Sequence, residues 1–310
     1  MLIGASTSAI FDKLGIDGGF KMFHDAGMNC VDFGFDWYCN IWKYRRGETE
    51  DIIFTRPQEE ITEFFRPFKA AADKYGIKIH QAHAPFPSWI DTKIENSENT
   101  NAFALEAIKK CFPLLKMMDC RLLIVHPAFP GYADKLEADD EWDLNIRFYS
   151  SLIEDAKKYD VIVCLENMFV SKGRKIFSAI CQDPMEAAAY VDELNDMAGE
   201  TRFSFCYDTG HGLLIGQDVY STLKVLGDRV VALHVHDNDG LEDRHVAPYM
   251  GILDWERFIK GLKAINYKGA MTLEIGTLQH IYPLELMTDA YSLSAKAAKY
   301  FMQKAELADE

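Results

Sequence analysis

Short apolar runs alternate with longer amphipathic stretches along the whole chain, and this alternation repeats eight times. Several of the short runs, such as Val161–Leu165, are apolar at every position. Continuous apolar runs of this length are typical of parallel β-strands that are buried on both faces. The eight predicted strands are Leu2–Ala5, Cys30–Phe35, Lys78–Ala82, Leu122–Val125, Val161–Leu165, Phe203–Tyr207, Val230–Val235 and Ala270–Ile275.

Helix-length segments separate the predicted strands. Those with the clearest pattern are Ile61–Tyr75, Thr100–Met118, Asp143–Tyr159, Met185–Met197, Trp255–Ile265 and Leu284–Met302. No low-complexity linker or block of like charges interrupts the series. We therefore predict one α/β domain over residues 1–310, a single (β/α)₈ TIM barrel. A doubly wound open sheet is the alternative. The first strand lacks the glycine-rich fingerprint of a dinucleotide site, which argues against that sheet and against a nucleotide cofactor.

Composition and charge narrow the range of partners. The formal net charge is −15, whereas proteins that grip DNA neutralise its phosphates with Lys and Arg, so a nucleic-acid partner is disfavoured. The seven cysteines include no CxxC pair, which disfavours a zinc finger and a disulfide framework. No segment has the length of a signal peptide or a membrane span. We expect a cytoplasmic protein without a membrane partner. The sequence leaves its oligomeric state open, a homo-oligomer included.

Acidic and histidine residues follow most of the predicted strands. In TIM barrels, the active site is built from the C-terminal ends of the strands. Polar groups gathered at one buried edge need compensation, which a divalent cation provides. The residues at the ends of predicted strands three to eight are His83, His126, Glu166 with Asn167, Asp208 with His211, His236, and Glu274.

Four of these residues form the best candidate metal site. They are Glu166, Asp208, His236 and Glu274, one from each of the last four predicted strands. Three carboxylates and one imidazole suit one Mn²⁺, Co²⁺, Mg²⁺ or Zn²⁺ ion. Any one of these residues could instead cap a helix or form a salt bridge. Their occurrence on four consecutive strands favours the metal site.

An ordered set of short motifs extends over nearly the whole chain. The motifs are Leu165-Glu166-Asn167, Asp208-Thr209-Gly210-His211, His234-Val235-His236-Asp237-Asn238, Asp243-Arg244-His245 and Leu273-Glu274. With these motifs the sequence resembles the xylose isomerase-like TIM barrels, specifically the sugar phosphate isomerase/epimerase group that also contains the endonuclease IV (AP endonuclease) branch. The resemblance implies that Glu166, Asp208, His236 and Glu274 bind the metal. It also implies that Glu166 and Glu274 are the proton-transferring pair of a ketose epimerase.

The predicted function is a metal-dependent isomerase or epimerase of a sugar or sugar phosphate. A cation on the sugar oxygens would stabilise the enediolate that forms when a proton is removed beside a carbonyl, and the two glutamates would take and return that proton. Three alternatives remain open: a sugar or inositol dehydratase or lyase on the same metal site, an AP endonuclease with three zinc ions, and a non-catalytic sugar-binding subunit. The endonuclease remains because all nine positions that match its zinc ligands are filled: His83, His126, Glu166, Asp208, His211, His236, Asp243, His245 and Glu274.

Further residues are candidates for contacts with the substrate. They are His211, His83, His126, Asn167 and His245, with the aromatic side chains of Trp89 and Phe86. Aromatic rings suit the apolar C–H faces of sugars. The alternatives are ordinary ones: a histidine at a strand end is often a satisfied core group, and loop aromatics often pack within loops or at a subunit interface.

Overall fold

The computed structural model describes residues 2–7, 9–129, 136–173 and 175–307, and the other residues of the predicted domain 1–310 lie outside this description. Eight parallel strands form the centre of the molecule, and a separate two-stranded hairpin follows the fifth of them. The barrel strands are β1 (Ile3–Ser6), β2 (Cys30–Gly34), β3 (Lys78–His83), β4 (Leu122–Ile124), β5 (Ile162–Glu166), β8 (Phe203–Asp208), β9 (Val230–His234) and β10 (Met271–Leu273), and the hairpin consists of β6 (Phe169–Lys172) and β7 (Lys175–Ser178).

The eight parallel strands form a closed ring. Seven neighbouring pairs follow the order β10-β1-β2-β3-β4-β5-β8-β9. Closure occurs just beyond the end of β9, where the amide of Val235 donates to the carbonyl of Thr272 (2.9 Å) and the amide of Glu274 donates to the carbonyl of Val235 (3.0 Å). The predicted (β/α)₈ barrel is therefore confirmed, and each predicted strand overlaps an observed one.

Twelve α-helices accompany the strands in the described ranges, and the longer ones lie on the outer side of the barrel. They are α1 (Ile10–Asp25), α2 (Ile41–Arg45), α3 (Gln58–Lys74), α4 (Ser97–Met117), α5 (Ala138–Ser150), α6 (Ile153–Tyr159), α7 (Pro184–Ala198), α8 (Thr209–Leu214), α9 (Val219–Leu226), α10 (Trp255–Ala264), α11 (Leu278–Ile281) and α12 (Leu284–Leu307). No helix within the described ranges combines the length and hydropathy that crossing a bilayer requires.

The predicted single helix Asp143–Tyr159 is two helices, α5 and α6. They are separated at Ser151 and Leu152 by a turn in which the Ser151 hydroxyl donates to the carbonyl of Phe148 at 2.6 Å. Serine side chains compete with the helical hydrogen bonds in this way. The hydrophobic period continues across the turn, which explains why the pattern predicted one helix.

The lower part of the barrel interior is apolar and the upper part is polar. Ile124, Cys164, Cys206 and Ala232 form a small buried cluster of their own. Beyond it, at the C-terminal ends of the strands, the fully buried side chains include Glu166, Asp208 and His234. The barrel thus places charged groups in a dry environment at one end.

Candidate active site

A deep cavity opens at the C-terminal end of the barrel. Its volume is about 490 Å³, within the range of about 300–1,000 Å³ that small-molecule sites occupy. The polar part of its lining includes His83, His126, Glu166, His211, Asp243, His245 and Glu274. Aromatic side chains from the loops, Trp42, Phe86, Trp89, Phe129 and Phe169, form much of the remaining wall. The arrangement pairs a charged floor with an apolar wall.

Four side chains from β5, β8, β9 and the end of β10 converge at the floor. One ligand atom from each of Glu166, Asp208, His234 and Glu274 lies within 4.8 Å of the other three. The Nδ1 atom of His234 is 3.0 Å from a carboxylate oxygen of Glu166 and 3.6 Å from one of Glu274. Three of these four residues belong to the metal site that the sequence predicts.

The predicted imidazole ligand, His236, requires a correction. His234 takes its place, because His234 is the register partner of Asp208 in the ladder between β8 and β9. His236 lies two residues further on, and two residues of strand span about 6.6 Å. Its ring stacks on His245 with centroids 4.2 Å apart, and its Nε2 approaches a carboxylate oxygen of Asp208 at 3.1 Å. The two histidines are two residues apart, so both side chains point to the inner face of the barrel, and spacing in the sequence alone does not distinguish them.

The chemistry of Glu166 fits a bound cation. Its side chain is 1% exposed, and one carboxylate oxygen has no hydrogen bond of acceptable geometry, although the Nε2 atom of His126 lies 3.0 Å away. Burial by itself raises the pKa of this carboxyl, but the neighbouring imidazoles of His234 and His126 hold it well below its usual value. A buried carboxylate with an oxygen that accepts no well-aligned hydrogen bond is the environment in which a divalent ion is stabilising.

The pKa of the Asp208 carboxyl is lowered in the same way. Burial opposes the shift, and the imidazoles of His211 and His236 lower the pKa to about 2. The backbone amide of His211 also donates to this carboxylate at 2.6 Å, which caps helix α8. Asp208 is therefore an anion at neutral pH and is held in place from two sides.

His83 and His126 lie together beside Glu166, as residues of the cavity floor. Their Nε2 atoms are 2.9 Å apart. A second group of potential ligands consists of His83, Glu166 and His234. Burial disfavours the charge on His83, yet its interaction with Glu166 raises its pKa to about 9. Burial lowers the pKa of His126. The pair thus combines a proton donor with a neutral ring at the edge of the cavity.

A further group of potential ligands lies on the other side of Asp208. It consists of His211, His236, Asp243 and His245. A carboxylate oxygen of Asp243 lies 2.9 Å from the Nε2 atom of His245 and 3.6 Å from that of His211. Burial opposes charge on His245, but Glu274 and Asp243 raise its pKa to about 9. His211 and His245, which the sequence predicts to contact the substrate, both line the cavity.

Asn167 is placed differently from the prediction. It was predicted to contact the substrate, but it is 1% exposed and does not line the cavity. Its side-chain amide instead donates to the carbonyl of Asp208 (2.9 Å) and accepts from the amide of Asp208 (2.8 Å). Its own carbonyl accepts from Nδ1 of His211 at 2.8 Å. The residue therefore ties the end of β5 to the end of β8.

Two parts of the site are absent from the residues that the sequence predicts, namely Asp32 and the hairpin β6–β7. Asp32 is buried at the centre of β2, and the visible signal was one acid within an apolar run. The hairpin β6–β7 contributes Phe169 to the wall, where its ring lies 5.0 Å from that of His211. The alternating polar and apolar residues of this segment are too few to predict a hairpin. The predicted aromatic residues Phe86 and Trp89 both line the cavity.

Comparisons with known proteins agree with this architecture. A family model described as "Xylose isomerase-like TIM barrel" matches residues 22–294. The D-psicose 3-epimerase of Enterocloster bolteae is 26% identical over 215 residues, which cover 67% of this chain and 65% of the relative. An uncharacterised protein of Sinorhizobium fredii is 44% identical over 69 residues, 22% of each chain. The chain thus matches less than two thirds of the length of either relative.

Solved structures share the fold over nearly their full lengths. A D-tagatose 3-epimerase-like protein superposes with a TM-score of 0.67 at 18% identity, over 99% of this chain and 98% of that one. A 3-keto-D-glucoside 4-epimerase from E. coli superposes with a TM-score of 0.68 at 16% identity, over 97% of this chain and 99% of that one. At these identities the similarity establishes the fold.

Proposed function

Since this chain belongs to the xylose isomerase-like TIM barrel family, we propose that it is an isomerase or epimerase that acts on a carbonyl sugar and requires one divalent cation. The observation that carries the proposal is the convergence of Glu166, Asp208, His234 and Glu274 within 4.8 Å of one another at the cavity floor. The sequence similarity to a D-psicose 3-epimerase supports carbohydrate as the substrate class.

The four residues divide into two pairs by their access to the cavity. Glu166 and Glu274 line it, whereas Asp208 and His234 are fully buried behind it. We assign Asp208 and His234 to holding the cation. Glu166 and Glu274 reach both the cation position and the cavity, so they are the residues that also face a substrate carbon.

The proposed reaction is a proton transfer beside a carbonyl group. A divalent cation bound by the four residues supplies a Lewis acid that stabilises negative charge developing on the sugar oxygens. One of the two glutamates removes the proton from the carbon, and the other returns one to the opposite face, which inverts that carbon. His211 and His245 line the same floor and can hold sugar hydroxyls. The aromatic wall suits the apolar face of the sugar.

Hydrogen exchange with solvent tests the proposal. A panel of free and phosphorylated ketoses is incubated in D₂O with protein supplied with Mn²⁺, Co²⁺, Mg²⁺ or Zn²⁺. We expect one deuterium at the inverted carbon of a substrate. Glu274→Gln should lower the rate by about 10²–10⁴-fold, the range for loss of a general acid or base. Glu285→Gln, on the exposed face of α12, is the matched control. Turnover with loss of water would instead identify a dehydratase.

A second candidate function is hydrolysis of a phosphodiester with three cations. It is supported by the two further groups of potential ligands, His83–Glu166–His234 and His211–His236–Asp243–His245. Elemental analysis distinguishes the two proposals, because the epimerase predicts one cation per chain and the nuclease predicts three. The net charge of −15 favours the sugar enzyme.

The cellular location stays a prediction. We propose a cytoplasmic location. It is supported by seven cysteines that are all free and buried, as expected where thiols stay reduced. The oligomeric state is left open by the sequence, a homo-oligomer included, and light scattering of the purified protein determines it.

A further inference from the structure

Asp32 is a buried carboxylate that the proposed reaction does not use. It lies on β2 and is 2% exposed. It does not line the main cavity. A carboxylate removed from water is costly unless hydrogen bonds or charges compensate for it. Its surroundings therefore show what the residue does.

The principal partner of Asp32 is His234, the imidazole at the proposed cation site. The Oδ2 atom of Asp32 lies 2.7 Å from Nε2 of His234. With Nε2 engaged in this way, the Nδ1 atom of the same ring is directed at Glu166, 3.0 Å away, and at Glu274, 3.6 Å away. A neutral imidazole that donates from Nε2 carries its lone pair on Nδ1, which is the form that binds a metal.

Asp32 is itself held by a second buried side chain. The Nε2 atom of Gln81 donates to Oδ2 of Asp32 at 3.2 Å and lies 3.3 Å from the carbonyl of Leu233. The Oε1 atom of Gln81 accepts from the hydroxyl of Thr272 at 3.2 Å. All of these side chains are buried. The network spans β2, β3, β9 and β10, so it ties the position of the histidine to four strands.

We propose that Asp32 is a positioning residue that orients His234 for the cation, holds its proton on Nε2 and makes Nδ1 a stronger ligand. This inference rests on the cation site proposed above, but not on the reaction. Carboxylate partners of metal-binding histidines typically contribute a factor of about 10–100 to metal affinity. The acid at position 32 thus acts on the cation through the imidazole ring.

Metal affinity tests the role of Asp32 without any substrate. Chelator-stripped protein is titrated with Co²⁺ in competition with a coloured chelator, and the visible absorption of the bound Co²⁺ is recorded. For Asp32→Asn, which keeps the size of the side chain, we expect affinity to fall about 10- to 100-fold and the Co²⁺ bands to shift. Thr272→Val breaks the network at its far end, away from His234, and should change affinity less than about threefold, well below the effect expected for Asp32.

A measurement on the wild-type protein makes the test independent of how the variant folds. The ¹⁵N resonances of His234 in the Zn²⁺-loaded protein should show the proton on Nε2, and a proton on Nδ1 would overturn the proposal. Equal losses of affinity in Asp32→Asn and Thr272→Val would also overturn it, since they would indicate a general packing effect. If Asp32→Asn weakens Co²⁺ binding but the wild type epimerises no sugar, the role of Asp32 stands and the proposed function fails. If the wild type epimerises a sugar but Asp32→Asn binds Co²⁺ as tightly as the wild type, the proposed function stands and the role of Asp32 fails.

Discussion

His80 is a half-buried histidine on β3 whose two ring nitrogens both lack a hydrogen-bond partner. Burial lowers its pKa from 6.5 to about 4. A neutral imidazole is tolerated in such a place, whereas burial and the nearby charge of Lys78 disfavour a charged ring more than Asp32 favours it. The residue is therefore a local point of acid sensitivity that is separate from the cavity.

The pH dependence of stability should reflect His80. Between pH 6.5 and 4 the unfolded chain protonates this imidazole and the folded chain does not, so the folded state loses stability as the pH falls through that window. The loss should reach about 3 kcal/mol. His80→Gln should remove this part of the pH dependence in urea denaturation at pH 7 and pH 4.5. The exposed His280→Gln should behave like the wild type. Parallel curves for wild type and His80→Gln would contradict the prediction.

Asn167 supports the site through the backbone. Asn167→Ala leaves the buried amide and carbonyl of Asp208 without the partners they have at 2.8 and 2.9 Å. Each buried donor or acceptor that loses its hydrogen-bond partner costs about 1–3 kcal/mol, so we expect a loss of about 3 kcal/mol in the free energy of unfolding. Chemical denaturation of chelated protein measures it. The exposed Asn99→Ala is the control, with an expected change below about 0.5 kcal/mol. Unchanged stability together with a raised KM would return Asn167 to the role of a substrate contact.

The sequence predicts which face of a strand a site residue occupies, but it does not distinguish two residues of the same strand that share that face. Glu166, Asp208 and Glu274 follow three apolar runs, and the structure brings them together. His234 and His236 share one parity, and only the register against Asp208 separates them. Register depends on contacts between strands that are distant in sequence, so it is not visible in a local pattern.

At the scale of elements, strands were more predictable than helix ends and insertions. Most of the barrel strands are buried apolar runs, and burial on both faces leaves a clear pattern, whereas β3 carries four polar residues among its six. The hairpin β6–β7 has half-buried and exposed residues, so little in its composition distinguishes it from a loop. The hairpin reaches the cavity wall because it follows directly after the C-terminal end of β5. The position of that end is set by the tertiary structure and not by the sequence of the hairpin.

The pairing of β1 with β2 depends on a glycine. A Cβ atom at Gly4 would lie 2.1 Å from the backbone oxygen of Cys30, its register partner on β2. Backbone cannot rotate away as a side chain can, so Gly4→Ala should destabilise the protein by about 3 kcal/mol. Gly18→Ala in α1 is the matched control, because its nearest neighbour is the side chain of Leu14 at 3.3 Å. It should change the free energy of unfolding by less than about 1 kcal/mol, because the gain in helix propensity opposes the tight contact with Leu14. Equal effects of the two substitutions in guanidinium denaturation would contradict this explanation.

At the scale of the whole molecule, the proposed cation site connects four of the eight barrel strands. Its residues come from β5, β8, β9 and the end of β10, and β9 and β10 form the closing contact of the ring. The barrel therefore holds three carboxylates and an imidazole close together, although burial and the mutual repulsion of the carboxylates disfavour this arrangement without a cation. An ion that binds this arrangement, but not the unfolded chain, adds directly to the stability of the entire domain.

Removal of the cation should consequently lower the melting temperature of the whole barrel. At a free cation concentration of 100 times Kd, binding contributes about 2.7 kcal/mol, which corresponds to about 5 °C for a domain of this size. Calorimetry before and after treatment with a chelator measures the difference, and added Mn²⁺ should restore it. Asp208→Asn removes one carboxylate of the site, so its melting temperature should respond neither to chelator nor to Mn²⁺. A wild-type melting temperature that stays constant while elemental analysis shows loss of the ion would place that ion elsewhere than at the junction of these strands.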